Sequence, residues 1–159
     1  MENNTELFEA FFQKEKIYYH EQLQRLNNGE RCAFNLAAFF FGMAWMLYRK
    51  MYVEVLVLFV VLFFEGFLEQ LLIGDNGPKF ISIIINLVTA FFIGSLANFF
   101  YLQKAKRCVE LVKVKFIDNQ ERIDLLKKKG GTNLVLLIVV VVIILVLIVY
   151  FITVNNAEA

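Results

Sequence analysis

The chain has 159 residues, of which 59% are hydrophobic and 19% charged, with a formal net charge of +1. Soluble domains run nearer half apolar, so the excess, at a mean hydropathy of +0.61, needs a place other than a core surrounded by water. The balanced charge gives no global field for nucleic acid or an anionic substrate, and two distant cysteines, Cys32 and Cys108, form neither a zinc pattern nor a disulfide framework.

The first 30 residues are polar and amphipathic, and no cleavable signal peptide is expected there. Residues 5–26 are predicted to form one surface helix. Phe8, Phe11, Phe12, Tyr19, Leu23 and Leu26 recur at three- and four-residue steps. Asn3 with Glu6 offers a capping-box start and "NNG" at 27–29 a glycine stop. Such a helix suits a membrane interface, its own chain or a partner. His20 has no metal-type companions and is expected at the surface.

"FNLAAFFFGMAWMLYRKMY", 34–52, follows. It is too apolar for a loop, and short for a membrane crossing. Val53–Ile73 is long enough to span. "GDNGP" at 74–78 is a turn, and Phe80–Leu102 is a second spanning candidate. Residues 103–129 are predicted to be a polar helix with the stripe Val109, Val112, Phe116, Ile123 and Leu126. "KKKGGTN" breaks it before Leu134–Ile152, a run without charge. At about 1.5 Å per residue that run matches the ~30 Å hydrocarbon core.

Basic residues decide the threading. Lys14, Lys16, Arg25 and Arg31 precede 34–52, Arg49 and Lys50 end it, Lys79 stands in the turn region, and the other nine lie in 103–131. If Phe34–Tyr48 crosses, giving four spans, they divide five against eleven. If it does not, fifteen share one face and Lys79 stands alone. Basic residues near spans favour the cytoplasm. The expected fold is therefore an all-α membrane protein with three transmembrane helices, the alternative being four. Phe34–Tyr48 is then an interfacial or re-entrant helix with Trp45 and Tyr48 at headgroup level, and the N-terminus is cytoplasmic. The units are an amphipathic helix (1–31), the interfacial motif (32–52), a transmembrane hairpin (53–102), a basic amphipathic helix (103–131) and a C-terminal span (132–159).

The segment 34–52 resembles the signature of a bacterial membrane family catalogued as domain of unknown function 2628. The matching residues are Phe34, Asn35, Ala37, Ala38, Phe39, Phe40, Phe41, Gly42, Trp45, Tyr48, Arg49, Lys50, Met51 and Tyr52. "GSLANFFYLQKAKR" resembles the family's closing segment, in which Gly, Asn and Tyr precede a basic run. The resemblance covers about 11–107. It implies a small bacterial inner-membrane protein and no particular chemistry. Leu36 and Met43 stand where the family commonly has Trp and Pro, which weakens the expected kink. The zinc ribbon of some relatives is lacking, and 108–159 lies outside the family core.

Ionisable groups inside a span are functional suspects. On a helical wheel Glu54, Glu65 and Glu69 share one face. Glu54 is expected to pair with Lys50. Ser82, Asn86 and Thr89 form a polar stripe on the next span. Counting outward from Asn76 matches Glu69 with Ser82 and Glu65 with Asn86 across the hairpin, and Glu65 is expected to be protonated for want of a nearby cation. These four residues are the candidate intramembrane polar site. Ala90, Gly94 and Ala97 form a small-residue patch that admits a close helix.

No nucleophile elbow, phosphate loop or metal motif is present, so neither an enzyme nor a cofactor is expected. The leading expectation is a non-enzymatic scaffold or accessory subunit. The alternative is an oligomeric pore or small ion or proton transporter using Glu65 and Glu69. Expected partners are the lipid bilayer and a membrane protein or a second copy, not nucleic acid. The basic face of 103–129 suits anionic lipid heads, and "KKK" suits a topology anchor.

Overall fold

The computed structural model describes residues 2–74 and 77–157, with side chains for 4–74 and 77–154. It is all-helical, with no strand among the described residues. The expected capping box at Asn3 and the hairpin centre at Asn76 lie outside what is described.

The amphipathic N-terminal stretch is two helices rather than one. Helix α1 (Glu2–Phe12) ends in a 3-10 turn, Gln13–Glu15, and α2 (Lys16–Asn27) follows. Gln13 takes a left-handed φ of +56° at the bend. A straight rod would spread its aromatic stripe along one side. Bending brings the Phe12 and Tyr19 rings to 5.3 Å and sets both against Tyr101, at 6.0 and 4.7 Å. The face therefore packs on its own chain. His20 is half-buried edge-on to Phe12 rather than at the surface.

The motif also divides. Helices α3 (Leu36–Phe41) and α4 (Met43–Tyr48) are joined at Gly42, whose φ of +46° and ψ of −116° no L-residue adopts without strain. The bend that the missing proline made doubtful is thus supplied by glycine. Each six-residue helix is about 9 Å long, against the ~30 Å of a bilayer core. Trp45 is only 7% exposed, with its ring against Tyr101, so it does not face headgroups.

Helix α5 (Tyr52–Leu72) follows as expected. Helix α6 (Lys79–Lys115) does not stop at Leu102 but continues for 37 residues. Its buried residues Gly94, Ala97, Asn98, Tyr101, Leu102, Ala105, Val109 and Val112 form one unbroken stripe at helical spacing, so nothing ends the helix there. The separate helix expected over 103–129 is therefore the end of α6 plus α7 (Asn119–Lys129). The break comes at Phe116, which is extended. Asp118 then caps α7 by accepting from the Glu121 N–H at 2.9 Å. Helix α8 (Leu134–Ala157) closes the chain.

Three helices are long and apolar enough to cross a membrane: α5, α6 and α8. Within them the apolar windows of α5 and α8 bury nothing against the rest of the chain. The packed core lies instead among α1, α2, α3, α4, α7 and the second half of α6. Phe11, Phe12, Tyr19, Tyr101 and Leu126 are all 1% exposed or less. Each of the Phe and Leu side chains contributes about 1.5–3 kcal/mol relative to exposure. The molecule is thus a small helical cap carrying three apolar rods.

Candidate functional site

Helix α3 and the strand-like lead into it run antiparallel to α6. The Ala33 carbonyl accepts from Asn98 Nδ2 at 2.8 Å, the Asn35 N–H donates to the Gly94 carbonyl at 2.8 Å, and the Phe34 ring lies 5.5 Å from that of Phe91. Gly94 permits this approach: a Cβ there would stand 2.6 Å from the Phe34 ring. The small-residue patch is therefore occupied by this chain's own α3, not left for another helix.

Two asparagines form the centre. Asn35 caps α3 by accepting from the Ala38 N–H at 2.9 Å, and its amide donates to Asn98 Oδ1 at 2.9 Å. Asn98 is fully buried, and its own amide also donates to the Tyr18 hydroxyl at 2.8 Å. The Gln22 carbonyl oxygen, equally buried, accepts from the Ala33 N–H at 2.7 Å. The Asn35 and Asn98 amides thereby find partners, as burial demands, whereas the Tyr101 hydroxyl and Arg49 Nε beside them are buried without a hydrogen-bond partner among the described residues.

Arg49 forms the second layer. It is 3% exposed, with its guanidinium 4.9 Å from the Tyr19 ring centre, 5.4 Å from that of Tyr101 and 5.6 Å from that of Tyr48. It pairs with Glu15 from the bend between α1 and α2. Burial pulls the guanidinium down from its ordinary value, yet arginine stays charged. One carboxylate and three aromatic faces stand in for its lost water.

Lys50, with φ of +58°, closes α4 in a left-handed turn. Lys104 donates to the Lys50 carbonyl at 2.6 Å, and Lys50 donates to the Lys128 carbonyl at 3.1 Å. Lys50 is therefore turned toward α7, and among the described residues no ion pair joins it to Glu54, the partner expected one turn along. Asn133 then ties α8 to the same corner. Its N–H donates to the Tyr48 carbonyl at 2.8 Å, its amide to the Tyr52 hydroxyl at 3.3 Å, and its side-chain oxygen caps α8 at Leu136.

Asn35, Trp45, Tyr48 and Arg49 thus meet Asn98 and Tyr101 in the cap, and Phe34 lies on Gly94. Lys50 is held by Lys104 and Lys128, Tyr52 joins Asn133, and Gly42 supplies the bend. The two segments that carried the resemblance are the two halves of one contact. A family profile described as "Protein of unknown function (DUF2628)" matches residues 6–107. The chain belongs to that family. The matched stretch of the DUF2628 family runs from Glu6 within α1 through α5 and along α6 as far as Arg107, leaving α7 and α8 beyond it. No curated protein and no solved structure matches the chain.

The intramembrane polar residues fall differently from the expected pairing. Glu65 and Glu69 do lie on the half-buried stripe of α5, with Leu58 and Leu62. Glu65 accepts from the Thr89 hydroxyl at 2.6 Å, not from Asn86. Asn86 is exposed and donates to the Ser82 carbonyl of its own helix at 2.7 Å. No hydrogen bond joins Glu69 to Ser82 among the described residues. Sequence reasoning met Asn98 and Lys104 only as part of the family's closing segment and gave no role to Gln22 or Asn133. The run Gly94, Ala97, Asn98, Tyr101 at i, i+3, i+4 and i+7, small and polar inside an apolar helix, was the available signal for Asn98.

Proposed function

We propose that this DUF2628 protein is a non-enzymatic scaffold or accessory subunit of a bacterial inner-membrane complex. Its threading is N-terminus cytoplasmic, three spans and C-terminus outside, with α3–Gly42–α4 as a re-entrant or interfacial element. The observation that carries the reading is the contrast between cap and rods. The polar residues of the family motif are spent on internal bonds, whereas α5 and α8 stand with almost their whole apolar surface open to neighbours.

The threading has its own support. Helices α1 and α2 precede the α5–α6 hairpin and α7 follows it, yet they pack into one cap. Segments on opposite sides of a bilayer do not do that. Fifteen of the sixteen basic residues then lie on the cap side, the side favoured for the cytoplasm. Leu36, Phe40 and Phe41 are 64–72% exposed on α3. Phe39, beside Gly94, lies eight residues, or about 12 Å, before Leu102 toward the apolar end of α6.

Two measurements test this. Purification in mild detergent is expected to yield a defined partner or homo-oligomer, and a lone monomer with an unaltered bilayer would count against a scaffold. In a Cys32→Ser, Cys108→Ser background, an impermeant thiol reagent applied to intact cells is expected to label Asn76→Cys and Ala157→Cys, both on the outer face, but not Asn4→Cys. Labelling of Asn4→Cys would make 34–48 a fourth crossing.

A further inference from the structure

Phe92, Ser95, Leu96 and Phe99 stand at i, i+3, i+4 and i+7 on α6 and so form one face. Leu26 of α2 and the segment Glu30–Phe34 overhang that face, enclosing a groove of about 570 Å³. The Ser95 hydroxyl is turned onto its own helix, donating to the Phe91 carbonyl at 2.8 Å. The groove wall is therefore apolar along its length.

Its mouth is not. Arg31 lines it with an exposed side chain that makes no hydrogen bond or ion pair among the described residues. Lys106 lies on the same face of α6, seven residues beyond Phe99, and is held toward the mouth by donating to Asn27 Oδ1 at 2.8 Å. Arg25 and Lys106 both act on the thiol of Cys32 in the wall. Arg25 is partly answered by Glu21, at 3.9 Å, and Glu30 is the one carboxylate lining the groove. A hydrocarbon slot about 10 Å long thus opens at its polar end on an unspent guanidinium with cations beside it.

We propose that this groove holds one phospholipid of the cytoplasmic leaflet, its phosphate on Arg31 and an acyl chain along Phe92–Phe99. Guanidinium suits phosphate through paired N–H donors. A wholly apolar partner helix would fill the slot without answering Arg31. The inference rests on α6 crossing the membrane with its Lys106 end cytoplasmic.

The full chain, exchanged into palmitoyl-oleoyl phosphatidylglycerol nanodiscs and released for native mass spectrometry, tests it. One lipid per chain is expected to survive activation that strips the others. Arg31→Ala is expected to lower that retained fraction about tenfold, the loss of a charge-assisted bond. Ser95→Trp or Leu96→Trp, which fill the slot, should do the same with helicity unchanged. Lys14→Ala, on the bend between α1 and α2, should not. No retained lipid, or equal retention in wild type, Arg31→Ala and both groove-filling variants, overturns the proposal, and a co-purifying helix lost on Ser95→Trp in place of lipid does so in favour of a protein occupant. All variants should still sediment with membranes. A wild-type chain left in the supernatant would instead overturn the spanning reading itself.

Discussion

Asn35 and Asn98 meet amide to amide at 2.9 Å across a separation of 63 residues. Between them lie α3, α4, α5 and the first half of α6, so this bond closes the loop through which the apolar hairpin is made. It fixes α3 along α6 and, through Tyr18 and Ala33, fastens α2 to both.

Asn98→Leu keeps the volume and removes the donor pair. It leaves the Asn35 amide and the Ala33 carbonyl short of a partner, each at about 1–3 kcal/mol when buried, while the exposed Tyr18 hydroxyl turns to water. The expected loss is about 3 kcal/mol or more, read as a fall in the unfolding midpoint of the detergent-solubilised protein. Asn35→Leu should cost a similar amount, and the double variant should cost less than the two added together, because the pair shares its bond. Unchanged midpoints would mean that water replaces these contacts and that the corner is open.

Much of this was legible before the structure. The apolar lengths of α5 and α8 and the special status of 34–52 follow from composition and spacing alone. What was lost was continuity and register. Helix α6 runs through the polar boundary at Leu102 because its buried face continues through Ala105, Val109 and Val112, while only its outer face turns charged. The hairpin pairing was counted symmetrically about Asn76, but the bond falls between Glu65 and Thr89, about one helical turn out of that register. Asn86 escapes the pairing because a short amide can bond its own helix one turn back. The bend at Gln13 has no sequence signal of its own; tertiary packing of Phe12 on Tyr19 imposes it.

Glu65 and Thr89 give a prediction that separates glue from flux. Thr89→Val is isosteric and removes the hydroxyl that Glu65 accepts from. Such bonds are worth about 1 kcal/mol or less within a bilayer. A small fall in midpoint is expected, with proton and cation leak through proteoliposomes unchanged in both Thr89→Val and Glu65→Gln. A leak abolished by Glu65→Gln would establish the transporter reading over the scaffold.

The cap should fail in alkali. Burial pushes the Tyr19 phenol up, and the neighbouring phenols of Tyr101, Tyr18 and Tyr48 push it the same way. An unfolded phenol titrates near pH 10. The folded form therefore holds its proton where the unfolded form has lost it. Stability from Tyr19 is complete below about pH 10 and declines as pH rises beyond it. Midpoints measured from pH 8 upward should fall more steeply in wild type than in Tyr19→Phe. Parallel curves would show Tyr19 to be solvated.

Gly130 tests whether "KKKGG" is only an anchor for the last span. A Cβ there would stand 2.1 Å from the Phe11 carbonyl oxygen, which is backbone and cannot swing aside. The adjoining Gly131 N–H donates to that same carbonyl at 2.8 Å, and Gln13 donates to the Lys127 carbonyl at 2.7 Å. The end of α7 thus holds the end of α1 by main-chain contact. Gly130→Ala must push the two apart, carrying Phe11 off Tyr101 and Gln13 off Lys127. The expected cost is about 2–3 kcal/mol, in the range of other overpacked contacts, and it should appear as faster proteolysis at Gln13–Lys16 while membrane insertion is untouched. Lys128→Ala and Lys129→Ala together remove two charges and leave the glycine contact whole. If that charge variant loosens α1 as much as Gly130→Ala does, the segment acts through the bilayer surface and not through α1.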